Sequence, residues 1–183
     1  MEQQLLQEQK SPNALAFKIA LLLTIYTLLI IVIMRMLGIN LQAEGTPVYQ
    51  TVVSGILNWV PFIYAIYYIQ KTHKQELGGF ITYGRAFSAG FKVAAYGGLF
   101  IGLCMFLYYQ FIDQAGMDQI VDAQIAKAKN EQQVQGIEMM RPYFAVTSGF
   151  GAAIMFTISG LIVSLISAAI VKKERPMHYT EAE

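Results

Sequence analysis

Much of what aqueous chemistry uses is scarce in this sequence. One cysteine in 183 residues, Cys104, excludes a disulfide framework and a multi-cysteine metal site within one chain. The two histidines, His73 and His178, lie far apart on segments expected at the surface, without HExxH or a similar ligand spacing, and both read as solvated. There is no GxSxG, and the glycines of GRAFSAGFKVAAYGG follow no strand that would make them a nucleotide loop. Charged residues make up 14% of the chain, against about 25% in a soluble domain. A net charge of +1 with no basic stripe argues against nucleic acid as a partner. The start, MEQQLLQEQKSPN, has neither the basic opening nor the cleavage site of a signal peptide, so none is expected.

Apolar residues are abundant instead, at 55% of the chain with a mean hydropathy of +0.44, which places it in the membrane class. Four stretches are long enough to cross a hydrocarbon core that needs about 20 apolar residues: Leu15 to Leu37, Val48 to Ile69, Ala86 to Ile112 and Tyr143 to Val171. Ser11-Pro12 and Thr46-Pro47 precede the first two as a cap followed by proline. Lys71 to Gly84 reads as a basic, glycine-containing turn. The polar stretch from Asp113 to Arg141 carries apolar residues at helical spacing, which predicts two short amphipathic helices, lying on the membrane or closing over the bundle. Gly136 is a candidate break in the second. The expected fold is all-α: a single integral-membrane domain, a four-helix bundle with a short amphipathic helical loop between the third and fourth spans.

The third span organises the rest. Small residues recur every fourth position at Ala86, Gly90, Ala94, Gly98 and Gly102, with a second row at Ala89, Val93 and Gly97. In water each interior glycine would cost a helix about 1 kcal/mol relative to alanine. In a bilayer the backbone bonds are kept within the helix, and small side chains let helices approach until dispersion contacts hold them. The last span has a matching row at Ser148, Ala152, Gly160, Ser164 and Ala168, interrupted at this spacing by Phe156, and is the expected partner.

Few residues within the spans could bind a ligand. Asn58 and Pro61 lie in the middle of the second span, where proline frees the carbonyl of Leu57 and predicts a kink. The simplest role for Asn58 is an interhelical hydrogen bond; the functional alternative is a substrate site beside a broken helix. Lys18 and Arg35 lie near the two ends of the first span, whereas Lys92 is set deeper, about 10 Å from the end of its span, where snorkelling to the headgroups is the simplest reading. With Arg85, Ser88 and Tyr96 it forms a stripe that could hold a lipid phosphate or an anionic lipid-linked ligand. All 12 acids lie outside the spans, so no intramembrane carboxylate is available to carry a proton or sodium ion. No catalytic residue, metal or cofactor is expected. Eight cations flank one side of the spans and four the other, which predicts cytoplasmic termini and an outward-facing 113–141 loop.

Gly79-Phe80-Ile81-Thr82-Tyr83-Gly84-Arg85-Ala86-Phe87, followed by Gly90-Phe91 and by the Phe111-Ile112-Asp113 exit into an acidic loop, resembles a bacterial four-span family known as domain of unknown function 4199. Gln114 stands where that family commonly has proline after the aspartate. The resemblance covers nearly all of the chain after about residue 13 and implies four spans in a bacterial inner membrane; it supplies no activity or assigned residues. The expected function is that of an accessory or assembly subunit acting by packing, with membrane lipids around it and a second copy or a membrane protein as partner. A small channel or a transporter of lipid or anionic ligands is the alternative.

Overall fold

The structure, a computed structural model, describes residues 11–39 and 47–174, and within them the chain is all-α. Helix α1 covers Asn13–Met36, α2 Val48–Glu76, α3 Tyr83–Leu107, α4 Gln114–Ala126, α5 Glu131–Met140 and α6 Phe144–Val171. A 3₁₀ turn at Arg141–Tyr143 joins α5 to α6 without a loop, so the helices form five rods. Four are long and apolar enough to cross a membrane, and α4 lies between the third and the fourth. The leader through Lys10, the Thr46 cap, and the tail from Arg175 with His178 lie outside the described residues.

Local chemistry sets the helix ends. Pro12 itself occupies the cap position of α1 and its carbonyl accepts from Ala16 N at 2.8 Å, leaving Ser11 one residue too early to cap. Helix α2 runs seven residues past the expected Ile69, because Gln70 and His73 continue the buried stripe of Phe62, Ile66 and Ile69. It stops where Gly78 and Gly79 take φ of +78° and +88°, values that L side chains rarely adopt. The expected turn of residues 71–84 therefore shrinks to 77–82, and α3 starts at Tyr83, three residues early. Helix α5 passes through Gly136, whose surroundings are open, so that glycine is no break.

Helix α2 is uninterrupted across Pro61. The Leu57 carbonyl that proline frees accepts a hydrogen bond from the Tyr26 hydroxyl of α1 at 2.9 Å. A backbone group that would be costly to leave bare in hydrocarbon thus becomes a tie between two helices.

Helix α3 sits at the centre. Its buried residues are Ala86, Ala89, Gly90, Val93, Ala94, Gly97, Gly98, Ile101 and Gly102, which are the two small-residue rows together with Ile101. Ala89, Val93 and Ala94 share the main core with Leu23 of α1 and Phe62, Ile66 and Ile69 of α2. At one end, Met117 and Val121 of α4 close over Ala145 and Phe106, so α4 caps the bundle, whereas α5 has no fully buried residue and adds only half-buried Ile137 to that cluster. At the other end, Ile81 and Lys173 exchange backbone bonds of 2.9 and 3.0 Å, and Lys74 Nζ donates to Val171 O at 2.7 Å. The outward faces of α1, α2 and α6 present large apolar side chains such as Leu22, Ile56, Phe150 and Ile166. Water would penalise so continuous an apolar surface; acyl chains do not.

Tyr26→Phe is expected to lower stability in detergent by about 1 kcal/mol, the scale of one interhelical hydrogen bond in a membrane. Thermal unfolding beside Tyr64→Phe, a change on an exposed ring, measures it; equal stability of the two variants would show that Tyr26 does not satisfy the Leu57 carbonyl.

Candidate functional site

The seam between α3 and α6 is set by missing β-carbons. One placed on Gly98 would stand 2.5 Å from Thr157 Oγ1 and 2.7 Å from the Ala153 carbonyl. On Gly102 it would meet the Gly149 carbonyl at 2.6 Å and Ala153 Cβ at 2.7 Å, and on Gly160 it would collide with Ala94. The expected partner of α3 is therefore the observed one. Of the anticipated α6 row, Gly160, Ser164 and Ala168 are buried, but in its first half the facing positions are Ala145, Gly149, Ala153 and Thr157, while Ser148 and Ala152 stand half-buried beside them. Strict four-residue steps drift around a helix of 3.6 residues per turn, and the three-residue step from Thr157 to Gly160 corrects the drift. Phe156 is no interruption: it stacks on Trp59 at 5.9 Å and meets Phe62 edge-on at 5.3 Å.

At the Lys74 end the seam becomes polar. Gly90 makes room there for Gln70 of α2 and Ser164 of α6, since its β-carbon would stand 2.5 Å from Gln70 Nε2 and 2.9 Å from Ser164 Oγ. Gln70 Nε2 donates to the Ser164 carbonyl at 3.2 Å. Gln70 Oε1, Ser164 Oγ and His73 Nδ1 are buried and make no hydrogen bond among the described residues. His73 is only 3% exposed, with Nδ1 3.5 Å from Glu76 Oε2. It is therefore not the solvated histidine that its polar surroundings in the sequence suggest. The signal for its burial was its spacing, three residues after Gln70 on the stripe that Phe62, Ile66 and Ile69 begin.

The structure brings some candidate residues together and separates others. Arg85, exposed, and Lys92, half-buried, both lie within Coulombic reach of His73, so the cationic part of the stripe borders the polar cluster. Tyr96 turns instead to α1, its ring 6.1 Å from that of Phe17. Asn58 bonds within its own helix, Nδ2 donating to the Ser54 carbonyl at 2.9 Å, in place of the expected interhelical bond. It lies 15 residues before His73, roughly 22 Å away along α2. Among the described residues no group of three His, Cys, Asp or Glu side chains comes together to hold a metal ion. Donors, acceptors and two cations at the end of a packed seam can recognise a small polar or anionic group.

At the opposite end, ion pairs tie the rods to their cap. Arg35 NH2 meets Asp113 Oδ1 at 3.0 Å, and Arg141 of the 3₁₀ turn reaches Asp118 and Asp122 of α4 at 3.0 and 2.5 Å. Residues 18–173 match the family described as Protein of unknown function (DUF4199). No curated protein and no solved structure is matched.

Gly98→Ala is expected to cost about 1–3 kcal/mol through overpacking against backbone and Thr157. Gly151→Ala, into open space on α6, should cost nothing. Unfolding of both variants in one detergent measures the difference, and equal stability would refute the close approach.

Proposed function

This chain belongs to the DUF4199 family, and we propose that it serves as an accessory or assembly subunit of the bacterial inner membrane, working by helix packing without catalysis. Its termini face the cytoplasm. The observation that carries the reading is how the small residues are used: they lock α3 to α6 inside the chain and leave other faces for partners. Exposed Val52, Ile56 and Val60 on α2 and Ile158, Ile162 and Ile166 on α6 give two smooth apolar surfaces suited to lipid, to a membrane-protein partner or to a second copy. The excess of cations at the Lys74 end supports the orientation.

The second reading, a small channel or a transporter of lipid or anionic ligands, draws support from the unbonded Gln70 Oε1 and Ser164 Oγ beside His73, Lys92 and Arg85. Buried polar atoms are nearly always bonded, so two together favour a ligand or water at that end.

Cross-linking in native membranes followed by purification and mass spectrometry separates the two. The packing reading expects a stoichiometric membrane protein or a second copy, captured equally by wild type and Lys92→Met. A monomer with no protein partner, holding an anionic lipid that Lys92→Met loses, would overturn it in favour of the second reading.

A further inference from the structure

At the end of the bundle away from Lys74, α1, α4 and the turn that follows α3 line an open cavity of about 160 Å3 that neither reading uses. Its polar side chains are Arg35, Asp113, Gln119, Tyr108 and Tyr109, and Ile31 and Met34 of α1 form part of its apolar side. One local irregularity builds it. After Leu107 the α3 rod opens into a π turn, Tyr108–Ile112, and Asp113 N bonds to Tyr108 O at 2.9 Å. Such turns occur often at functional positions. Here the turn lets consecutive tyrosines line the same cavity, their rings 5.2 Å apart and nearly perpendicular.

Asp113 is held from three directions. Its Oδ1 accepts from Arg35 NH2 at 3.0 Å and from Gly116 N at 2.9 Å, where it caps α4, and its Oδ2 accepts from the Tyr108 hydroxyl at 3.3 Å. Arg35 NH1 also reaches Gln119 Oε1 at 3.3 Å. The guanidinium side chain remains 40% exposed and the carboxylate 15%. A lone anion would have to draw Arg35 from Asp113, and a lone cation the reverse. A ligand carrying both charges exchanges one ion pair for two.

The surroundings suit each charge. Tyrosine faces attract an ammonium, and a guanidinium fork suits a phosphate. Arg35 is the next-to-last residue of α1, where a span meets the headgroup layer; Met34 adjoins it and Ile31 lies a turn deeper beside the acyl chains. Ligand pockets for drug-sized molecules run to roughly 300–1,000 Å3, so this cavity admits a headgroup and not a whole lipid. The geometry points to a site for a phosphoethanolamine group, either as the headgroup of phosphatidylethanolamine or as the free molecule.

The test uses the full chain in phosphatidylcholine nanodiscs doped with phosphatidylethanolamine or phosphatidylglycerol, with native mass spectrometry reading the lipids that stay bound. Choline has no N–H for Asp113, and glycerol brings no ammonium. Phosphatidylethanolamine is expected to be retained roughly tenfold over either, the scale of one charge-assisted hydrogen bond. Asp113→Asn removes the charge but keeps an efficient helix cap, and Arg35→Gln leaves the cap untouched; each should abolish the preference. Displacement by free phosphoethanolamine would extend the site to the soluble molecule, whereas failure to displace would confine it to the lipid. Equal retention of the three lipids by wild type, or an undiminished preference in either variant, would overturn the assignment.

Discussion

Everything in this bundle depends on how closely the backbones of α3 and α6 approach. Between helices surrounded by lipid, apolar side chains gain little by leaving acyl chains for one another, and dispersion at short range and the occasional hydrogen bond supply the attraction. Gly98 and Gly102 face Ala153, Thr157 and Gly149 without room for one added carbon. Glycine's cost to the helix is offset by contacts that no larger residue permits. With that seam closed, the second row of α3 receives α1 and α2, and large residues can point outward.

The two ends are finished differently. At one, charges are paired: Arg35 with Asp113, and Arg141 with Asp118 and Asp122, fasten α4 over the rods. At the other, backbone bonds between Ile81 and Lys173 hold the helix ends, and just inside them polar atoms of Gln70 and Ser164 are left unbonded beside buried His73. The middle is tightly packed, while the charged groups and the buried polar cluster lie toward the two ends.

How much was legible in the sequence varied with the kind of signal. The rows of α3 were plain because size alternates there, and both proved to be the buried faces. The row of α6 was legible only in its second half, since a fixed four-residue spacing hides the step at Thr157. The freed carbonyl of Leu57 could be foreseen, but not its partner Tyr26, because a donor on another helix is set by rotation and register. His73 was misjudged because Lys71, Lys74 and Glu76 around it look like a surface turn, although its spacing continues the buried stripe. The π turn falls in a run of aromatic and apolar residues that gives no hint of it. Function was least legible: packing rows describe how a chain holds itself together and carry no name for what it meets.

The central claim is that the glycine seam closes within one chain. It is tested most directly by placing cysteines on its two sides, Gly90→Cys with Ser164→Cys in a Cys104→Ala background, and oxidising them in native membranes. The account predicts an intramolecular disulfide, seen as a faster-migrating monomer that reverts on reduction. A disulfide-linked dimer, or no disulfide while each single variant still folds, would contradict it.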